Sequence, residues 1–111
     1  MSRTTSVPER VIKSVKAFIS ELRKAVEVEE AYLFGSYARG DWLKWSDIDL
    51  IVVSRDFKDM KFTERLDLVN EIAWKLRISP PLEVIPLTPE ELAKGGVLVK
   101  DAKKYWIKVC C

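Results

Sequence analysis

Two carboxylates open an apolar strand in the middle of the chain. Asp47 and Asp49 occupy alternate positions just before the apolar run LIVV at residues 50–53. Side chains of a strand alternate between its two faces, so both carboxylates point the same way. Like charges this close resist ionisation unless a cation lies between them, and Mg2+ is a hard cation that is often shared with substrate phosphates. The pair therefore indicates metal-assisted chemistry on a nucleotide.

A small turn with a hydroxyl group precedes the acids by ten residues. Gly35 and Ser36 end an apolar stretch. Glycine lets the backbone approach a phosphate closely, and a hydroxyl with exposed amides can bind phosphate oxygens. Arg39 could neutralise phosphate charge, and Ser46 stands next to the acid pair. The alternative is an ordinary turn followed by a solvated surface loop.

Glu83 is the lone charge in the apolar segment LEVIPL at residues 82–87. Acids are rarely buried without a partner, so this carboxylate needs a cation, a metal or open solvent. If its strand shares a sheet with the strand of Asp49, the two carboxylates lie side by side, and Glu83 serves as general base or further metal ligand. A glutamate on an edge strand that faces water fits the same pattern.

Composition narrows the possible functions. The 111 residues predict a single domain over 8–111 after a flexible arm over 1–7. A net charge of +2 without a dense basic block argues against nucleic-acid binding. Neither a signal peptide nor an apolar run of membrane-spanning length is present, so we expect a cytoplasmic protein without a membrane partner.

The chain contains no histidine. Nucleophiles of the Ser-His and Cys-His kinds and histidine-based zinc sites are therefore excluded. The two cysteines, Cys110 and Cys111, are adjacent and cannot form a disulfide framework. Catalysis would have to use carboxylates, hydroxyls, lysine or arginine together with a metal.

Strands are predicted at residues 31–34, 48–53 and 82–87. The second has apolar residues on both faces, which is typical of a central strand. Pro86 cannot donate to a neighbouring strand, which indicates that the third strand lies at an edge of the sheet or that Pro86 lies at a strand end. Helices alternate with these strands, so the sequence predicts an α/β fold of the α+β kind, in which helices flank a small mixed sheet.

Helices are predicted from apolar spacing and from end signals. Residues 8–26 form one amphipathic helix, and Thr63 is expected to cap a second. Thr88 begins a third, with a capping box to Glu91, and the tail is predicted as a helix to residue 104 and a strand over 106–109. Trp74 and Trp106 are expected in the core. Trp42 and Trp45 would pack on the sheet edge, contact a partner or stack on a nucleobase.

The strings GSYARG at residues 35–40 and SDIDL at 46–50 closely resemble the signature of the DNA polymerase beta-like nucleotidyltransferases. The short chain resembles their minimal members, the MNT proteins. This resemblance implies the fold of that superfamily. It also implies that Asp47 and Asp49 hold two magnesium ions on the phosphates of ATP or another nucleoside triphosphate. By the same resemblance, Glu83 would be the third carboxylate, a metal ligand or a base, while Gly35, Ser36, Ser46 and Arg39 would contact the nucleotide.

Minimal members of this family are commonly paired with HEPN proteins in toxin–antitoxin systems. There the nucleotidyltransferase acts as an antitoxin by adenylylating a tyrosine of the HEPN ribonuclease. The resemblance therefore implies an enzyme that transfers a nucleoside monophosphate, expected to be AMP, to a hydroxyl of such a partner. Two alternatives stay open: a small-molecule transferase of the aminoglycoside-modifying kind, and a non-catalytic antitoxin that acts by binding. A homo- or hetero-oligomer is compatible with each.

Overall fold

A four-stranded sheet with helices packed against it forms the fold in the computed structural model, which describes residues 7–110. A 3-10 helix, Arg55–Asp59, follows the second strand. The other elements, in chain order, are α1 (Glu9–Leu22), β1 (Glu30–Phe34), α2 (Ser36–Arg39), β2 (Ile48–Val53), α3 (Phe62–Lys75), β3 (Leu82–Leu87), α4 (Pro89–Lys94), α5 (Val97–Lys103) and β4 (Ile107–Cys110).

The strands lie in the order β3-β2-β1-β4. β1 is antiparallel to both β2 and β4, whereas β2 and β3 are parallel and are joined through α3. A parallel pair needs such a crossover because its strands run in the same direction. The register sets Asp49 opposite Glu83 on one side and opposite Phe34 on the other. The predicted mixed sheet, with the second strand central and the third at an edge, is confirmed.

The two faces of the sheet carry different cores. The larger core lies under α1 and α3, which bury Phe18 and Val69 against strand residues such as Leu50. The smaller core holds Ile51 and Ala102 on the opposite face, where α5 packs. We call this second side the α5 face. Because strand side chains alternate, Asp49 shares the α5 face with Ile51.

Two details of α3 differ from the prediction. The helix begins at Phe62, with Lys61 at its N-cap and the Lys61 amide donating to Glu64 Oε1 at 2.7 Å, so the prediction of Thr63 as cap is wrong. Trp74 is 84% exposed rather than in the core. It lies two residues beyond buried Ile72, and a step of two residues turns a side chain to the other side of a helix.

The remaining elements follow the prediction more closely. α1 ends four residues before Val26, while the tail forms a helix and a strand within one residue of the expected ends. Trp106 is half-buried and stacks on Tyr32 with 3.9 Å between ring centroids. Of the predicted arm, residues 1–6 lie outside the described residues, as does Cys111, and Val7 is buried in the larger core. Within residues 7–110, no helix has the length and apolar character needed to cross a membrane.

Candidate active site

The start of β2 sets the positions of the acid pair. Asp47 immediately precedes the strand and Asp49 is its second residue. Ile48, between them, is fully buried, and its amide donates to the Pro81 carbonyl at 2.9 Å. Anchored in this way, the strand directs both carboxylates to the opposite side, where Asp47 is exposed and Asp49 is half-buried.

Gly35 forms the turn between β1 and α2, next to Asp49. Its φ is +75°, a backbone conformation that glycine adopts without steric cost. A Cβ atom built on Gly35 would overlap Asp49 Oδ2 and lie 3.0 Å from Asp49 Cγ. The amides of Ala38 and Arg39 donate to the Gly35 carbonyl at 3.1 and 3.0 Å, which closes the first turn of α2. Glycine is therefore required here both by conformation and by the closeness of the carboxylate.

Glu83 lies on β3 directly opposite Asp49. The condition that the sequence left open, a shared sheet with neighbouring strands, is met. β3 is an edge strand and Glu83 is exposed, so the carboxylate is also open to water. The two interpretations of Glu83 are compatible because its exposed side chain lines a cavity that it shares with Asp49.

That cavity, which we call the carboxylate cavity, has a volume of about 390 Å3. It is lined by all seven residues singled out in the sequence and by four others: Phe34, Gly35, Ser36, Arg39, Ser46, Asp47, Asp49, Glu83, Asp101, Ala102 and Tyr105. The fold thus gathers the predicted residues at one place, although their individual roles stay predictions.

Three of the four additional residues belong to α5 or to the turn after it. Asp101 and Tyr105 are four residues apart, the spacing at which helical side chains project on one side, and Ala102 lies beside them. The sequence indicated a helix in this region. Nothing in its local pattern indicated that this helix would cross the sheet near the acid pair.

The carboxylate cavity carries excess negative charge. Burial, and then the charges of Glu83 and Asp47, raise the pKa of Asp49 from its usual 3.8 to about 6, whereas the Arg39 charge acts in the opposite direction. Arg39 also contacts Asp41, with its Nε 3.3 Å from Asp41 Oδ2. One partly engaged guanidinium does not balance the acid pair and Glu83, so the site favours an additional cation.

The donor set fits Mg2+ shared with a substrate. Within residues 7–110, no three Asp, Glu or Cys side chains converge into a preformed metal site. Mg2+ is usually bound by one or two carboxylates together with substrate phosphates rather than by a protein cage. The hard carboxylate oxygens of Asp47, Asp49 and Glu83 are ligands of the kind that this cation prefers.

Several known proteins are similar to this chain in sequence or in structure. Two relatives come from Methanocaldococcus jannaschii. The "Putative protein adenylyltransferase MJ0604" is 35% identical over 65 residues, 57% of this chain, and the match spans 61% of that relative's length. The "Putative protein adenylyltransferase MJ0141" is 25% identical over 99 residues, 89% of this chain and 95% of that relative.

Solved structures show the same fold. A putative nucleotidyltransferase from Sulfolobus solfataricus superposes with a TM-score of 0.67 at 31% identity, covering 89% of this chain and 78% of that one. A toxin–antitoxin structure with AMP-PNP has a TM-score of 0.62 at 20% identity, over 89% of this chain and 72% of that one, a likeness of fold alone.

A family model, described as a nucleotidyltransferase domain, matches residues 12–109. The match runs from α1 into β4 and includes every residue that lines the carboxylate cavity. The fold and the named relatives agree with this match, and the chain belongs to the nucleotidyltransferase domain family.

Proposed function

We propose that the chain is a magnesium-dependent enzyme that transfers AMP from ATP to a tyrosine hydroxyl of a partner protein, a HEPN toxin for which it is the antitoxin. The observation that carries this proposal is the convergence of the Gly35 turn, the acid pair and Glu83 on one cavity. The names of the two relatives from Methanocaldococcus jannaschii support protein adenylylation. The toxin–antitoxin structure with AMP-PNP supports the nucleotide and the biological setting.

The residues of the carboxylate cavity have two roles, contact with the phosphates and binding of the metal. The open backbone at Gly35 and the hydroxyl of Ser36 bind phosphate oxygens, and Arg39 offsets phosphate charge. Asp47 and Asp49 would supply the carboxylate oxygens that hold the metal. Bound Mg2+ would neutralise charge on the phosphates and lower the pKa of the acceptor hydroxyl.

Transfer is a substitution at the α-phosphorus. The acceptor oxygen forms a bond to that phosphorus, the bond to the bridging oxygen breaks, and pyrophosphate leaves. Glu83 takes the proton of the acceptor hydroxyl, since it is the carboxylate contributed by the separate edge strand and is exposed to an incoming group. Correct alignment and electrostatics account for most of the acceleration in such reactions.

The acceptor comes from another protein because this chain provides room for a nucleotide and little more. The cavity volume of about 390 Å3 is near the lower end for ligand sites. Leu43 and Trp45 are large apolar residues in the loop that contains Ser46, and they are 59% and 74% exposed. Exposed apolar residues next to an active site favour contact with a protein surface over capture of a small polar acceptor.

The test is transfer of label from ATP carrying radioactive α-phosphate, with Mg2+ and a purified protein of the HEPN family. We expect label on the HEPN protein that disappears with Asp47→Asn or EDTA. The matched control is Asp67→Asn, which changes an exposed aspartate outside the cavity and should leave labelling intact. Toxin neutralisation by Asp47→Asn without label would instead indicate a binding antitoxin, and label only on an aminoglycoside would indicate a small-molecule transferase.

A further inference from the structure

The three tyrosines of the chain lie in very different surroundings. Tyr37 is fully buried, and Tyr32 is 8% exposed and stacked on Trp106. Tyr105 is 47% exposed and lines the carboxylate cavity. It is the one tyrosine among the described residues whose side chain borders the candidate active site.

The position of Tyr105 is fixed by the helix before it. Ala102 is 5% exposed and packs in the smaller core with Ile51, which places α5 on the face of the sheet that carries Asp49. The Tyr105 amide donates to the Ala102 carbonyl at 3.2 Å, so the turn follows directly from this anchored helix. Tyr105 is therefore held at the cavity by packing, although its side chain is half exposed.

The phenol group of Tyr105 has no structural use in the described part of the chain. Its hydroxyl forms no hydrogen bond with any of residues 7–110, and its ring stacks on no other ring there. By contrast, the ring of Tyr32 is stacked, and that of Tyr37 packs 5.5 Å from Trp42. An exposed phenol inside a reactive cavity, without a structural partner, is available as a nucleophile.

Two serines also offer hydroxyls to the cavity, but they are weaker candidates. The Ser46 Oγ accepts the Leu43 amide at 2.8 Å and so closes its own loop. Ser36 begins α2 beside Gly35, where phosphate is proposed to bind. The Tyr105 side chain, in contrast, neither closes a loop nor begins a helix at the proposed phosphate site.

We infer that Tyr105 is itself an acceptor, and that in the absence of a partner the chain transfers one AMP to its own Tyr105. This inference rests on the proposed function and extends it to a second acceptor. The Tyr105 oxygen bonds to the α-phosphorus of ATP, pyrophosphate leaves, and Glu83 takes the phenolic proton. The product is a phosphodiester between Tyr105 and AMP.

The modification would limit itself to one nucleotide per chain. AMP attached to Tyr105 stays next to the cavity and competes with the next ATP for the same residues. A chain modified in this way would be inactive toward other acceptors. The fraction of modified chains would thus increase with the time that an active chain spends without a partner.

The experiment is incubation of the purified full-length chain with ATP and Mg2+, followed by intact mass measurement and peptide mapping. We expect one added AMP per chain, located on Tyr105, and none with Asp47→Asn. Tyr105→Phe keeps the ring but removes the hydroxyl, so it should lose self-labelling and still label the HEPN partner. In a mixture with the active Tyr105→Phe chain, the Asp47→Asn chain should stay unlabelled, because transfer occurs within one molecule.

The outcomes separate this inference from the proposed function. Label on the partner but not on this chain, or self-label on another residue, overturns the inference and leaves the proposed function standing. Label on the Asp47→Asn chain in the mixture overturns transfer within one molecule. Absence of label on both proteins contradicts the inference and the proposed function together. Circular dichroism of Tyr105→Phe checks that the loss is not due to unfolding.

Discussion

Two groups of charged residues lie near opposite ends of β3, and they differ in how their negative charge is compensated. We call Glu91 with its partners Arg65 and Thr88 the compensated cluster, and Asp47, Asp49 and Glu83 the uncompensated cluster. Beyond the carboxyl end of the strand, Glu91 Oε1 accepts from Arg65 Nη1 at 2.7 Å and from the Thr88 amide at 2.8 Å. Near its start, Asp49 has Glu83 and Asp47 as neighbours, and among residues 7–110 the opposing charge comes from Arg39.

The acidities of the two clusters reflect this difference. Burial acts to raise the pKa of Glu91, but the hydrogen bond from Thr88 and the Arg65 charge outweigh it, so the pKa is lowered. Burial and like charges raise the pKa of Asp49 to about 6. A compensated carboxylate stabilises the fold, whereas an uncompensated one is retained at a cost in stability and is therefore a candidate for function.

The largest expected effect concerns the uncompensated cluster. Asp49→Asn removes a charge from the cavity without changing its shape, so we expect transfer of AMP to fall by about 10³-fold or more. The thermal midpoint should not fall, since burial and the neighbouring carboxylates outweigh the opposing Arg39 charge on Asp49. Rates of labelling and thermal melts of the same preparation test both parts. Unchanged activity of Asp49→Asn would show that Asp49 is not part of the active site.

At the compensated cluster we expect a loss of stability without a loss of activity. Glu91→Ala leaves buried Arg65 without its carboxylate and removes the capping interaction with Thr88, so the free energy of unfolding should fall by about 2–3 kcal/mol. Activity should persist at temperatures where the variant is folded. Urea unfolding measures the change. Glu90→Ala is the matched control, because this neighbouring glutamate is exposed and should change stability by less than about 0.5 kcal/mol.

Two glycines test how closely the backbone approaches Asp49. Gly35 and Gly40 both have positive φ, but an added Cβ meets Asp49 only at Gly35 and has nothing within 4 Å at Gly40. Gly40→Ala should therefore cost only backbone strain, about 1 kcal/mol, and Gly35→Ala about 1–2 kcal/mol more. We also expect Gly35→Ala to lose activity. Equal losses of stability for Gly35→Ala and Gly40→Ala in urea would show that the contact with Asp49 does not contribute to the free energy of unfolding.

The smallest effect is the dependence of stability on pH. The folded state of Asp49 keeps its proton up to about pH 6, while the unfolded state releases it near 3.8, so this group lowers stability as pH rises between these values. Asp49→Asn should be more stable than the wild type above pH 6, by about 1 kcal/mol because the group is partly solvated. The difference should vanish below pH 3.8. Urea melts across this range, without Mg2+, measure it.

Much of this molecule was predictable because the signals are local. The strands at 48–53 and 82–87 have the expected bounds, and the Thr88 capping box is present. The alternation that orients Asp47 and Asp49 follows from strand geometry alone. Family membership also followed from two short strings, GSYARG and SDIDL, which both lie within the matched nucleotidyltransferase domain.

Tertiary packing decided the rest. The pairing of Arg65 with Glu91 spans 26 residues, and the approach of α5 brings Tyr105 to the cavity from more than fifty residues beyond Asp49. No local pattern encodes such contacts, because they depend on how separate elements pack on the sheet. The exposure of Trp74, by contrast, follows from local spacing, because the helical turn that buries Ile72 directs Trp74 to the other side of α3. The sequence determined which residues could perform the chemistry, and only the packed sheet decided which of their charges would remain uncompensated.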